Sequence, residues 1–281
     1  MKRTLKKVLE QGNVRLLLLP VYVVFSMIVG PPVQASEPLG PVAEDGPRLV
    51  VMLIVDQLRG DMLDRYSTVF SGGLKRLMDD GLVYTNALHD HAQTETSPGH
   101  ATISTGVFPG RAGIPSNAWR ERQNGGLHPV YNVVDPDVAL VGVTGLPGSS
   151  PGVLRREGFA DWIEEVDGKV VSVSGKDRAA VLMAGKSKSE VYWFDSQVGR
   201  FVTSTYYKSR EPSWLRKFNE DGLENYLADS VWVSTVPADK ANLSAPDTAG
   251  FESDGIHSYF PHRFLDQVSD PGPGDFFFWF E

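Results

Sequence analysis

Residues 48–56, Arg-Leu-Val-Val-Met-Leu-Ile-Val-Asp, carry seven apolar positions without a polar interruption. A short, β-branched-rich run that does not alternate predicts a strand covered on both faces, as in a parallel sheet. Residues 73–81, Gly-Leu-Lys-Arg-Leu-Met-Asp-Asp-Gly, shift to helical spacing and end on glycine, which predicts a short helix with a glycine stop. A second helix is predicted over 97–105. Residues 109–151 are rich in Gly, Pro and Asn and read as irregular connection. A second inner strand is predicted over 169–174. Two further runs, 191–194 and 201–207, read as a hairpin around Ser196-Gln-Val-Gly199. Strands alternating with helical stretches predict an α/β sandwich. There is no internal repeat and no low-complexity tract.

The two ends depart from this pattern. Lys2, Arg3, Lys6, Lys7 and Arg15 make a basic start, residues 16–30 carry no charge, and Val33-Gln34-Ala35 offers small residues at a cleavage triplet. This is the layout of a secretory signal over residues 1–35. The uncharged run is shorter than the roughly 20 residues that a membrane span needs; an uncleaved anchor is the rival reading. The mature protein is expected in the periplasm or secreted, without stable membrane association. Residues 36–47, rich in Pro, Gly and Glu, read as a linker, and 48–281 as one α/β region, with cap or insert segments over about 107–255. At the far end Phe276-Phe-Phe-Trp-Phe280 follows a Pro/Gly turn. Five adjacent aromatics suit the start of another buried element better than a solvated end, so the chain is expected to be truncated there. Exposed sheet edges and poor solubility are expected with it.

Charge and composition remove some function classes. The whole chain has a formal net charge of −8; without residues 1–35 there remain 22 basic and 34 acidic residues, a net of −12. A surface of that sign does not suit a nucleic-acid backbone, although a few local cations can still hold one small anion. Cysteine is absent, which excludes disulfides and thiolate metal sites. Any metal must sit on carboxylates, histidines and hydroxyls.

Two positions carry candidate chemistry. Asp56 closes the apolar run, and ligands of open parallel sheets bind outside the carboxyl ends of strands. A carboxylate there suits a hard metal ion, and equally suits a turn cap. Thr96-Ser-Pro-Gly-His-Ala-Thr-Ile-Ser-Thr-Gly106 begins with hydroxyls that suit a helix cap and a proline that suits a first turn. The N–H groups and dipole of such a helix start favour an anion. A threonine hydroxyl beside it is a nucleophile once a metal or base activates it. A plain capped helix fits the same residues.

Val55-Asp56-Gln57, the Thr96 segment and Pro115-Ser-Asn117-Ala-Trp119 together resemble the alkaline phosphatase superfamily, in its type I phosphodiesterase/nucleotide pyrophosphatase-like branch. The resemblance runs from about Pro47 to the last residue. It implies an alkaline-phosphatase-like α/β sandwich with a mostly parallel central sheet. It also implies a threonine nucleophile at Thr96, zinc held in part by Asp56 and Thr96, and a phosphoryl oxygen held by Asn117. Gly175-Lys176-Asp177-Arg178 resembles the Lys-x-Arg of the phosphate-irrepressible alkaline phosphatases, which act on monoesters. Two cations, one an arginine fork, match a monoester dianion better than a diester; the same residues also fit a solvated turn. The implied function is a zinc-dependent phosphate monoesterase acting on a small phosphorylated substrate through a phosphothreonine. A phosphodiesterase or nucleotide pyrophosphatase is the alternative, and an inactive remnant another. Family members hold two zinc ions, with most ligands in later segments that have no counterpart here. Asp254-Gly-Ile-His257 reads as a loop. His89 and His91 read as loop-positioning or exposed, His100 as a support of Thr96, and His128 and His262 as structural or exposed.

Overall fold

The computed structural model describes residues 48–123, 125–222, 230–248 and 259–263. The signal, the linker, Asp254–His257 and the terminal aromatics lie outside the described residues. The chain divides into two compact units, Met1–Val55 and Asp56–Glu281. In the first, residues 48–55 form no strand, and Leu49, Val51 and Leu53 are 78–79% exposed. The inner strand predicted there is therefore not formed. An apolar run specifies a capacity for burial, but a β-ladder also needs a hydrogen-bonded neighbour.

The second unit is built around one strand. Glu190–Asp195 (β6) carries Val-Tyr-Trp-Phe at its centre, and all four side chains are buried. Because strand side chains alternate between faces, Val191 and Trp193 join one core with Ala101, Ala180, Val181 and Leu182. Tyr192 and Phe194 join a smaller one with Phe201 and Leu215. Val171–Ser174 (β5) runs parallel to β6, from Val171 opposite Glu190 to Ser174 opposite Trp193. Arg200–Val202 (β7) runs antiparallel on the other edge, so the predicted hairpin is present with a shorter second strand. Parallel neighbours need a crossover, and the helix Asp177–Ala184 (α6) provides it, burying Ala179, Ala180, Val181, Leu182 and Ala184. Helix Ser213–Asp221 (α7) packs on β7. Val171 and Val173 are 66% and 58% exposed, so among the described residues β5 is an edge strand, not the inner one expected.

Ahead of this sheet come short helices Asp61–Arg65 (α1) and Gly73–Asp80 (α2), then Thr96–Thr105 (α3) and Pro109–Ala112 (α4). The glycine stop of α2 is present at Gly81, in extended rather than left-handed conformation. Helix α3 ends as predicted, on Gly106 at φ 67°, where a side chain would be strained. It packs against α6.

The stretch read as irregular holds two antiparallel pairs as well as α4. Ala118–Gln123 (β1) pairs with Gly126–Tyr131 (β2), and Val134–Ala139 (β3) with Pro147–Ser149 (β4). Their polar, Pro- and Gly-containing sequences hide the strand pattern, but a two-stranded ribbon has free edges on which Pro129 and Pro136 are tolerated. The helix Phe159–Glu165 (α5) follows β4. Val231–Trp232 (β8) and His262–Arg263 (β9) pair at the end of the described chain. Among the described residues the parallel sheet is represented by the β5–β6 pair.

Candidate active site

Thr96 is the first residue of α3, buried to 8% exposure, and Glu95, in extended conformation, occupies the cap position. The predicted cap was Thr96 or Ser97. Instead the Ser97 backbone N–H donates to Asn117 Oδ1 at 2.9 Å, so the helix is capped from 20 residues along the chain. Pro98 stands in the first turn, as predicted, and has no N–H to offer. The cradle of free N–H groups is thereby reduced, and the helix dipole and nearby cations remain as the attraction for an anion.

The Thr96 hydroxyl donates to Asp56 Oδ2 at 3.0 Å. Lys176 Nζ lies 3.5 Å from the same oxygen, and the two charged side chains are 19% and 34% exposed. Lys176 follows the carboxyl end of β5 and occupies the cap position of α6; Arg178 is the second residue of that helix. The packing of α3 on α6 is what brings Thr96 and Lys176 together, 80 residues apart in sequence. Arg178 Nη1 is 3.9 Å from Asp177 Oδ1. Its Nε is buried without a hydrogen-bond partner among the described residues. Asp177 is itself held by the Ser149 hydroxyl at 2.9 Å.

The Glu95 carboxylate turns back toward the Asn117 loop. It accepts from Asn117 N at 2.6 Å and Ser116 Oγ at 2.7 Å, and also from Gln93 Nε2. The Asn117 N–H bond is the leading reason its pKa lies below the usual glutamate value. The Ser116 bond follows; partial burial opposes both, and the Gln93 bond and the Arg178 charge add to them. Asn132, 3% exposed, donates from Nδ2 to Ser97 Oγ at 2.5 Å and Asn117 O at 2.6 Å. His100 Nδ1 lies 2.7 Å from Thr96 O, which fits the supporting place expected for it. His91 Nδ1 contacts Gln93 O at 2.9 Å, and the His89 and His91 rings meet edge to face at 5.2 Å. His262 is buried against Trp232 and Phe260.

Thr96 and Lys176 thus meet on one carboxylate oxygen of Asp56, and Asn117 joins them through Ser97. Arg178 stands one helix position beyond Asp177, close enough to Glu95 to act on its charge. Sequence reasoning missed Glu95 and Asn132. The place of Glu95 immediately before Thr96 was a usable signal; Asn132 gave none, since it sits in a stretch read as irregular.

The described residues do not by themselves complete a zinc site. Asp56 and Thr96 offer one carboxylate and one hydroxyl, and Lys176 puts a cation on that carboxylate. Among the described residues no group of three His, Asp or Glu converges, whereas zinc takes four ligands, or three and water.

Comparison with known proteins adds the family. The model for type I phosphodiesterase / nucleotide pyrophosphatase matches residues 50–262. Alkaline phosphatase PafA of Elizabethkingia meningoseptica is 36% identical over 212 residues, covering 73% of this chain and 38% of that protein. Alkaline phosphatase PhoV of Synechococcus elongatus is 35% identical, covering 78% and 41%. The crystal structure of wild-type PafA superposes with a TM-score of 0.72 at 32% identity, over 79% of this chain and 44% of that one. A PafA variant with one threonine, one asparagine, one lysine and one arginine substituted superposes at 0.71. The α/β fold is therefore the alkaline-phosphatase-like one expected. The chain spans about two fifths of the length of these curated relatives.

Proposed function

We propose that this chain, which belongs to the type I phosphodiesterase / nucleotide pyrophosphatase family, carries the nucleophile and phosphoryl-binding part of a phosphate monoesterase of the alkaline phosphatase type. The observation that carries this reading is the Thr96 hydroxyl. It stands at the head of α3 and donates to Asp56 at 3.0 Å, with Lys176 3.5 Å from the same carboxylate oxygen. A nucleophile, a proton acceptor and a cation meet there at the positive end of a helix dipole.

In the proposed reaction Thr96 Oγ attacks phosphorus in line and its proton passes to Asp56. The bond from phosphorus to the leaving oxygen breaks, and that oxygen takes a proton from solvent. Water then attacks the phosphothreonine and gives one proton to solvent, and the departing Thr96 oxygen takes back the proton held by Asp56, so that inorganic phosphate is released and both residues are restored. Asn117 Nδ2, Lys176 and Arg178 hold the phosphoryl oxygens and stabilise the charge that develops on them. No step is routed through zinc, because the described donors do not by themselves complete its site. Lys176 and Arg178 together, if both reach the phosphoryl group, favour a monoester dianion over a diester. The substituted PafA variant supports the assignment: its threonine and asparagine stand 21 residues apart, as Thr96 and Asn117 do here.

Residues 1–35 have the sequence pattern of an export signal, so the mature chain is assigned to the periplasm or the extracellular space. Among the described residues no helix is long and apolar enough to cross a membrane. The net charge of −12 favours a small phosphorylated substrate over nucleic acid.

Hydrolysis of a chromogenic phosphomonoester by the purified chain, across a zinc series, tests the reading. Thr96→Ala is expected to lower turnover by more than about a hundredfold while leaving the melting temperature in place. Equal turnover in both proteins would rule Thr96 out. The Lys176–Asp56 ion pair and the two-donor set favour a second reading, phosphate retention without turnover. Inorganic phosphate would then bind, lose its affinity in the Lys176→Ala/Arg178→Ala protein, and no ester would be hydrolysed at any zinc concentration.

A further inference from the structure

We infer that Glu95 and Asn132 are positioning residues that hold the Asn117 backbone where its Oδ1 meets the Ser97 N–H, which locks the side chain with its Nδ2 group presented to the phosphoryl oxygen. The inference rests on the phosphoryl-binding reading above and assigns the two residues that prepare that site.

Each polar group of Asn117 but one is engaged. Its N–H donates to Glu95 Oε2 at 2.6 Å. Its carbonyl accepts from Asn132 Nδ2 at 2.6 Å. Its side-chain Oδ1 accepts from Ser97 N at 2.9 Å. Nδ2 has no partner among the described residues. Turning the amide over would set an NH2 group against the Ser97 N–H, donor facing donor, so the orientation is fixed by chemistry as well as by shape.

Both holding residues reach further than Asn117 itself. Glu95 also takes the Ser116 hydroxyl at 2.7 Å, which fixes the residue before Asn117. Asn132 Nδ2 also faces Ser116 O at 3.4 Å and Ser97 Oγ at 2.5 Å, and Ser97 directly follows Thr96 on α3. The nucleophile helix and the Asn117 loop are therefore joined at one buried amide. Asn132 is 3% exposed, so these bonds do not compete with bulk water, and leaving its partners unsatisfied is costly. A donor that needs no reorganisation when charge develops on the phosphoryl group is what such a lock supplies.

The side-chain amide resonances of the full chain, labelled with 15N-asparagine, test the lock. Inorganic phosphate and orthovanadate are the probes, and Asn117→Ala identifies the Asn117 pair. In the unsubstituted chain without ligand that pair is expected well separated from the solvent-exposed amides, and phosphate is expected to move it. Glu95→Ala and Asn132→Ala are each expected to shift the pair toward the exposed-amide position before any ligand is added. Each is also expected to weaken phosphate binding about tenfold. Glu95→Gln keeps an acceptor oxygen and is expected to restore most of both. If Asn132→Ala does not fold, Glu95→Ala and Glu95→Gln decide alone, because Glu95 is only half-buried. An Asn117 pair unmoved in ligand-free Glu95→Ala would overturn the inference. Should phosphate move no resonance in the unsubstituted chain, the phosphoryl-binding reading fails, while the ligand-free spectra still decide the lock.

Discussion

Asp56 receives a hydroxyl proton and an ammonium group on one oxygen, and that pairing holds Thr96 and Lys176 at one point. Elsewhere a carboxylate does similar work within the fold. At Glu190, burial raises the pKa, but bonds from Lys208 and Tyr192 outweigh it and hold the group below its ordinary 4.5. A carboxylate depressed in the folded state contributes stability above its unfolded value, and that contribution is lost as pH falls through the lower folded value. Glu190→Gln is therefore expected to lower the melting temperature at neutral pH. The difference from the unsubstituted chain should narrow as pH falls through and below the ordinary glutamate range. A difference that is constant over that range in thermal melts would contradict the depressed value. The candidate residues differ in how far the sequence announces them. The start of α3 is legible at Thr96 because Pro98 and Gly106 bound it. The contact of Asp56 with Thr96, 40 residues apart, is legible through the family resemblance and not through spacing. Asn132 is silent because its role exists only once β2 and β3 carry it to Ser97.

Helix α3 has to approach two other helices closely, and its sequence allows it. It faces α6 with Ala101 against a run of buried alanines. Gly158, which caps α5, lies so near that an added Cβ would stand 2.2 Å from Ser104 Oγ and 3.1 Å from Ser104 O. Gly158→Ala is expected to push α5 from α3 and cost about 1–3 kcal/mol, the usual range for overpacking. A urea midpoint unchanged from the unsubstituted chain would show that the approach is looser than this. Element types were read best where the pattern is strong and local, as in α2, α3 and the β6–β7 hairpin. The two ribbons β1–β2 and β3–β4 were missed because their strands are polar and contain proline, so pairing rather than pattern defines them. The apolar run at 49–55 was misread for the opposite reason: its pattern is strong, but it forms no ladder.

On the scale of the molecule, β6 organises the described part of the second unit. Its four central side chains divide between two cores, one under α3 and α6 and one under α7. Trp193, 2% exposed, is the largest side chain of the main core. Trp193→Ala is expected to cost about 3–5 kcal/mol, a large part of the whole stability of a domain. Calorimetry showing a loss under about 1 kcal/mol would place the stabilising core elsewhere. The same core fixes β6, on whose edge β5 is held by its ladder, and α6, and with them Lys176 at the head of α3. The α/β class was legible from the alternation of elements. The placement of β5 at an edge was not, because a sequence pattern records which faces want cover and not which neighbours arrive.

The central claim is that the Thr96 hydroxyl is the atom that takes the phosphoryl group. Incubation of the purified chain with a phosphomonoester, acid quenching and peptide mass spectrometry test it most directly. The prediction is one added phosphoryl group on Thr96, absent from Thr96→Ala and reduced in Lys176→Ala. Phosphoryl transfer to another residue, or an unmodified Thr96 while phosphate is released, would contradict it.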